Sequence, residues 1–380
     1  MIMAGIPQTN AAIYHRIRFL VGDPVAFLKI TQPDGTSQST LLMRDIELVR
    51  ARRAARADVC ACPADFAPAS GLSGDRETAT AQAAAECLRR AGVKQAVGDR
   101  SLPLIFSDML RLAGINVSYD PALGVTDRRS KDAEEVKHLR HAQQITEQVM
   151  AKACQTVARA EARADGVLVS GGEPLTSERM RAMIDHWLID SGFSNPPSIV
   201  ACGPQGAICH EHGHGELRTG QPVIVDIFPC DATTHYNGDC TRTVVHGEVP
   251  AELARMHAAV CAAKRAAQSA TRCGVTGEDV HRATRGSIEK SGYRMGLPPE
   301  GAPADFTSMT HGTGHGIGLN VHEPPLLDLR GPVLVVGDAL TIEPGLYRAD
   351  MGGVRVEDMV VVTADGCENL NRLPEGLDWR

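Results

Sequence analysis

The stretch His311-Gly312-Thr313-Gly314-His315-Gly316-Ile317-Gly318-Leu319-Asn320-Val321-His322-Glu323-Pro324-Pro325 sets histidines among closely spaced glycines. Glycines at 312, 314, 316 and 318 let the backbone come close to a bound group, and their spacing does not fit the G-x-G-x-x-G of a dinucleotide loop. Working outward, acids stand at the ends of short apolar runs on both sides. Asp226 follows Val223-Ile224-Val225, and Asp239 lies in Asn237-Gly238-Asp239-Cys240-Thr241-Arg242-Thr243. Glu343 follows Leu340-Thr341-Ile342, and Glu357 lies in Gly353-Val354-Arg355-Val356-Glu357-Asp358. Asp226 and Asp239 are 13 positions apart, Glu343 and Glu357 are 14 apart, so one acid-bearing strand pair occurs on each side. Four carboxylates in one cleft cannot all stay ionised without a compensating cation. A divalent pair is the economical solution. Oxygen-rich ligation with a single imidazole favours Mn²⁺, Co²⁺ or Fe²⁺ over a thiolate zinc site. Two such ions can share bridging carboxylates and hold a bridging hydroxide as nucleophile.

The surrounding pattern repeats. An amphipathic helix is predicted over 132–163 from Val136, Leu139, Ile145, Val149 and Val157, with Ala142 and Ala153 filling the stripe. A shorter helix over 177–190 and a β-rich stretch with strands at 223–228 and 241–245 follow. A long helix over 251–272 then ends at Gly274, and the box Thr276-Gly277-Glu278-Asp279 starts a helix reaching 290. Strands at 339–342 and 354–362 complete the second round. The expected architecture is therefore α+β, with two related halves facing each other across a cleft.

Residues 1–127 read as a separate, smaller α/β unit, and residues 128–380 as the catalytic domain. The smaller unit has strands at 25–30 and 41–43 about the turn Pro33-Asp34-Gly35-Thr36. Helices are expected over 45–57, 78–90 and 102–112, with strands at Val97 and over 115–119. Arg50, Arg52, Arg53 and Arg56 read as a solvated face.

Composition narrows the function. The 39 basic and 46 acidic residues give a net charge of −7, without the basic excess of a nucleic-acid binder. With 43% hydrophobic and 22% charged residues the chain has the make-up of a folded protein. No apolar run approaches the roughly 20 residues that span a bilayer. The early run Phe19-Leu20-Val21 is broken by Asp23 and Pro24, unlike a secretory signal. Eleven cysteines then point to reduced thiols and a cytoplasmic protein.

One competing motif needs weighing. His210-Glu211-His212-Gly213-His214 satisfies H-E-x-x-H, which binds zinc only on a helix, where the two histidines share a face. Gly203, Pro204, Gly206, Gly213 and Gly215 surround it, so a loop is expected, with His212 and His214 exposed. Cys202, Cys209, Cys230 and Cys240 contain no C-x-x-C pair, which argues against a separate thiolate zinc site. Arg242 and Arg355 are expected as buried charge partners of the acids, and Tyr236 and Asp358 as groups that orient the ligands.

Taken in order, these segments resemble the creatinase/aminopeptidase P/prolidase family of pita-bread metallopeptidases, family M24. The resemblance runs from about Lys131 onward, and the first unit resembles that family's smaller creatinase-like domain. It implies that Asp226, Asp239, His315, Glu343 and Glu357 hold two divalent ions, Mn²⁺ foremost and Co²⁺, Fe²⁺ or Zn²⁺ as alternatives. Asp239 and Glu357 would bridge, Asp226 would hold one ion, and His315 with Glu343 the other. Glu343 would also move the proton of the attacking water. His210 and His322 would contact the carbonyl and the tetrahedral intermediate. The implied activity is hydrolysis of an N-terminal Xaa-Pro bond, as an aminopeptidase or a dipeptidase, on small peptides with proline second. A creatinase- or ectoine-hydrolase-like amide hydrolase on the same scaffold is the alternative. A homodimer is implied, without nucleic-acid or membrane partners. A dipeptidase must bind the product-side carboxylate, and Arg330, in the loop 326–333, is the candidate for that task beside its reading as a plain surface arginine.

Overall fold

Residues 1–32 and 34–380 are described by a computed structural model that divides into two units, Met1–Arg128 and Arg129–Arg380. The predicted turn at 33–36 includes Pro33, which lies outside the described residues; beyond it, the Asp34 carboxylate accepts the Thr36 backbone N–H at 2.9 Å.

In the first unit a six-stranded sheet runs in the order Val59–Ala61, Ser37–Leu42, Val25–Thr31, Ile2–Gly5, Gln95–Gly98, Asn116–Tyr119. Its inner strand Ile2–Gly5 pairs antiparallel with Val25–Thr31 and parallel with Gln95–Gly98. Sequence reasoning missed that strand because four residues buried on both faces show no alternation. The faces nevertheless separate as strand geometry requires. Ile2 and Ala4 pack under the helices Arg76–Arg90 and Leu104–Leu112, while Met3 joins Ile13 and Ile17 of the helix Ala11–Ile17 on the other side. The helix expected over 45–57 is a 3₁₀ turn, Asp45–Glu47, followed by Leu48–Ala54. Arg50 is not simply solvated: it pairs with Glu47 at 2.7 Å and lies 4.4 Å over the Phe19 ring.

In the second unit the helix Ala133–Ala158 starts on a capping box between Asp132 and Glu135. It stops short of the predicted 163 because Glu161–Ala162 leaves to pair with Leu168–Ser170. The helix Ser177–Asp190 follows, then an antiparallel sheet ordered Ile199–Cys202, Pro222–Ile227, Cys240–Val245. Ala142, Val149, Ala153 and Val157 of the long helix share one core with Val223, Val225 and Val244 of that sheet. With few aromatics to fill space, small residues bring the layers close. A Cβ on Gly238 would stand 2.1 Å from Thr146 Oγ1 and 2.8 Å from the Ala142 carbonyl.

The order then repeats with the helices Ala251–Ala270 and Gly277–Lys290, the latter capped by Thr276 and Asp279. Behind them lie a four-stranded sheet, containing Gly345–Arg348 and Gly352–Arg355, and a five-stranded sheet, containing Gly314–Gly316, Ala339–Ile342 and Asp358–Val362. The strand predicted over 354–362 is two strands in two sheets. The chain crosses between them at Val356 and Glu357.

Candidate metal centre

Each acid owes its position to a strand. Asp226 lies on Pro222–Ile227, in register with Ile199 on one side and Thr241 on the other. Asp239 directly precedes Cys240–Val245, and His315 is the middle residue of Gly314–Gly316. Glu343 directly follows Ala339–Ile342, and Glu357 occupies the crossing between sheets. The five side chains converge on the floor of a cleft of about 520 Å³.

The geometry suits cations. His315 Nε2 lies 3.7 Å from Asp239 Oδ2 and 3.6 Å from Glu343 Oε1. Asp239, His315 and Glu357 each offer a ligand atom within 4.8 Å of the others. His315 Nδ1–H donates to the Gly316 carbonyl at 3.1 Å, which leaves the Nε2 lone pair facing the acids. Asp226 accepts Arg355 Nη2 at 2.7 Å through Oδ2, while its buried Oδ1 has no protein partner. Glu357 Oε2 accepts Thr241 Oγ1 at 2.7 Å.

Electrostatics point the same way. Burial, then the charges of Glu357, Asp226 and Glu343, raise the Asp239 carboxyl well above its usual range. Burial and the neighbouring Glu343 and Asp226 do the same for Glu357. Burial pushes Glu343 up to about 8 and His315 down to about 4. Crowded acids and a neutral imidazole form a donor set that divalent ions relieve, and the unpartnered Asp226 oxygen fits the same reading.

Arg355 is the expected buried partner of an acid. Arg242 is also a buried acid partner, but of Asp358 at 2.9 Å and not of a candidate ligand, and its Nη1 donates to the Glu357 and Thr241 carbonyls. Asp358 also takes Lys264 and Asn369, so it anchors the strand beside Glu357 instead of touching a ligand carboxylate. Tyr236 is held by the long helix, its hydroxyl donating to Glu135 Oε1 at 2.5 Å.

The cleft walls hold His210 and His322, and the His322 ring stands 4.2 Å from that of His315, edge on. Residues 210–214 form no helix, so the H-E-x-x-H pattern has no shared face to present. His212, expected only as an exposed loop residue, is exposed and also lines the cleft, whereas His214 does not. Arg330 has the placement of the second of its two readings, a plain surface arginine. It is exposed, sits in left-handed backbone (φ 60°), donates its backbone N–H to Glu278, and is absent from the cleft wall. Asp328, two residues earlier, lines the wall in its place.

Sequence reasoning also passed over His311. Its Nδ1–H donates to the Gly312 carbonyl at 2.8 Å, and its Nε2 accepts the Tyr347 hydroxyl at 2.7 Å. Tyr347 in turn accepts Arg355 Nη1 at 3.0 Å, which joins His311 to Asp226 through one run of hydrogen bonds. The available signal was its place at the head of the histidine–glycine stretch, four residues before His315.

The model for metallopeptidase family M24 matches residues 137–364. A probable dipeptidase, PepE, of Mycobacterium tuberculosis is 37% identical over 264 residues, which cover 67% of this chain and 64% of that relative. An Xaa-Pro dipeptidase of Pyrococcus furiosus is 28% identical over 234 residues, 60% of this chain and 62% of the relative. The chain thus matches a little under two thirds of the length of these curated relatives. Among solved structures, the prolidase from Pyrococcus horikoshii OT3 superposes with a TM-score of 0.77 at 21% identity, covering 99% of this chain and 94% of that one. An Xaa-Pro dipeptidase from Bacillus anthracis gives 0.78 at 21% identity with the same coverage. At that identity the likeness establishes the fold, which is the one expected from the sequence.

Proposed function

The chain belongs to metallopeptidase family M24, and from that premise we propose that it is a dinuclear-metal exopeptidase that hydrolyses the bond between an N-terminal residue and a following proline. The observation that carries the reading is the cleft floor, where four buried or half-buried carboxylates surround a neutral imidazole beside an unpartnered Asp226 oxygen. Asp226, Asp239, His315, Glu343 and Glu357 would hold the two ions, with Asp239 and Glu357 shared between them. Two divalent ions supply Lewis acidity and make water acidic enough to attack at neutral pH.

The protein's own groups do the rest. Glu343 takes the proton of the attacking water and returns it to the leaving nitrogen. His210 and His322 donate to the scissile carbonyl as negative charge develops on it. Pro196, Ile199, Phe228 and Val321 give the cleft an apolar wall that suits a pyrrolidine ring and excludes water. Arg355, held by Tyr347, fixes one Asp226 oxygen so that the other faces the floor.

The oxygen-rich donor set supports Mn²⁺ over zinc. All eleven cysteines are free thiols, which supports a reducing, cytoplasmic setting. No helix among the described residues is long and apolar enough to cross a membrane. A homodimer belongs to the same proposal on the strength of the family resemblance, and sedimentation of the metal-loaded protein checks it. The deciding assay offers Mn²⁺- or Co²⁺-loaded protein Xaa-Pro dipeptides, Xaa-Pro-Xaa tripeptides, creatine and ectoine. Release of the N-terminal residue from proline peptides is expected. Turnover confined to creatine or ectoine would remove the peptidase assignment.

A further inference from the structure

The cleft wall carries an uneven set of charges. Among the described residues lining the cleft, Arg355 is the only side chain with a permanent positive charge. It is committed on every side: Nη2 to Asp226, Nη1 to the Tyr347 hydroxyl and the Cys209 carbonyl, and Nε to Thr241. With 3% of its side chain exposed, it offers nothing to a substrate carboxylate. Of the five acids on the wall, Asp226, Asp239, Glu343 and Glu357 are taken up by Arg355 or by the metal centre.

Asp328 has no arginine or lysine partner among the described ion pairs, only the buried imidazole of His281. Its Oδ1 accepts the Leu329 backbone N–H at 2.7 Å and lies 3.6 Å from His281 Nε2, and 45% of the side chain remains exposed. Gly312 leaves room for it: a Cβ there would stand 3.1 Å from Asp328 Cγ and Oδ2. The carboxylate is thus held against the segment that carries His311, on the wall of the cleft.

We propose that Asp328 is a specificity-determining residue that rejects a free carboxylate in the cleft, so that the preferred substrates are Xaa-Pro peptides of three or more residues, or C-terminally amidated ones. This rests on the Xaa-Pro reading above. In a dipeptide the terminal carboxylate is one residue from the scissile bond and must sit in the cleft, where it meets an uncompensated like charge and no arginine fork. In a longer peptide a neutral amide takes that place and the charge moves outward. A basic third residue adds attraction to Asp328.

The test compares Ala-Pro, Ala-Pro-amide, Ala-Pro-Ala and Ala-Pro-Lys on the Mn²⁺-loaded protein, together with calorimetric binding of proline and prolinamide. Kcat/KM for the amide and the tripeptides is expected to exceed that for the dipeptide by about tenfold or more, the scale of one misplaced charge. Prolinamide should bind more tightly than proline. Asp328→Asn should shrink both ratios to near one, and Asp328→Lys should turn them towards the free carboxylate. Wild-type protein that prefers Ala-Pro, or ratios that survive both substitutions, overturns the assignment. Cleavage without a length preference sinks this proposal alone. Failure to cleave any proline peptide, with the prolinamide preference present and lost in Asp328→Asn, sinks the peptidase reading and leaves the role of Asp328 standing.

Discussion

His315 and His322 lie ring to ring, 4.2 Å apart, yet their surroundings assign them different work. His315 faces Asp239 and Glu343, whereas His322 stands on the cleft wall beside them. His315→Ala should therefore lower metal content, while His322→Ala should keep the metals and lower kcat/KM by about 10²-fold, as one lost transition-state donor does. Metal analysis beside steady-state kinetics separates the two, and equal metal loss in both variants would undo the assignment. Asp239→Ala or Glu357→Ala should abolish occupancy altogether, and His214→Ala should leave it intact. An unchanged metal-to-protein ratio in both acid variants defeats the dinuclear centre. The candidate ligands were legible in the sequence because the acids sit at the ends of short apolar runs or beside them, while His315 and the full set of five came with the family resemblance. His311 and Asp328 were not, because their value depends on a hydroxyl and a glycine distant in sequence, Tyr347 and Gly312. Arg330 kept two readings, carboxylate receptor or plain surface arginine, because the sequence does not say which way a loop side chain faces, and the left-handed backbone there is a feature that no simple propensity signals.

Elements place these residues by close approach and by buried charge. Lys131, just before the long helix, pairs with Glu323 at 2.8 Å, both side chains 2% exposed, and Glu323 follows His322 directly. Removing one partner of such a pair costs about 3–5 kcal/mol. Lys131→Met should show that loss in denaturant titration and lower kcat/KM with it. Lys137→Met, which breaks an exposed pair on the same helix, should alter neither. Gly238→Ala should act through packing, since the added carbon collides with Thr146 and the Ala142 carbonyl. The segment carrying Asp239 must then move off the helix, and weaker metal binding in equilibrium dialysis is the expected sign; unaltered affinity speaks against it. Helices were the readable elements, since Ser177–Asp190 and the Thr276-capped Gly277–Lys290 carry both period and caps. Strand partners were less so. The split at Glu357 was hidden inside a stretch that reads as strand on both sides of Glu357-Asp358, because periodicity reports a strand and not the sheet it joins.

At the scale of the whole molecule the crowded acids become a pH dependence. In metal-free protein burial lifts Glu343 from 4.5 to about 8, so between those values the fold keeps a proton that the unfolded chain has released. Stability from this group is greatest at the low end and falls as pH rises. Histidines act oppositely below about 6.5, since burial pulls His311 and His315 down to about 4 and their folded forms resist protonation. Above that pH both histidines are neutral in either state, and the acid governs. Metal-stripped protein should therefore melt at a lower temperature at pH 8 than at pH 7. Excess Mn²⁺ should raise the melting temperature and flatten the trend, because the bound state holds its ligands deprotonated. A metal-free protein equally stable at both values contradicts this account. The halves of the centre are also stitched together late. Arg355 meets Asp226 across 129 positions of chain, and Glu357 meets Thr241 across 116. Contacts of such span form slowly and after local structure. Capture of the ions is then a stopwatch on the final docking of the strands: during refolding, an indicator dye should lose metal to the protein only after the helical signal has reached its plateau.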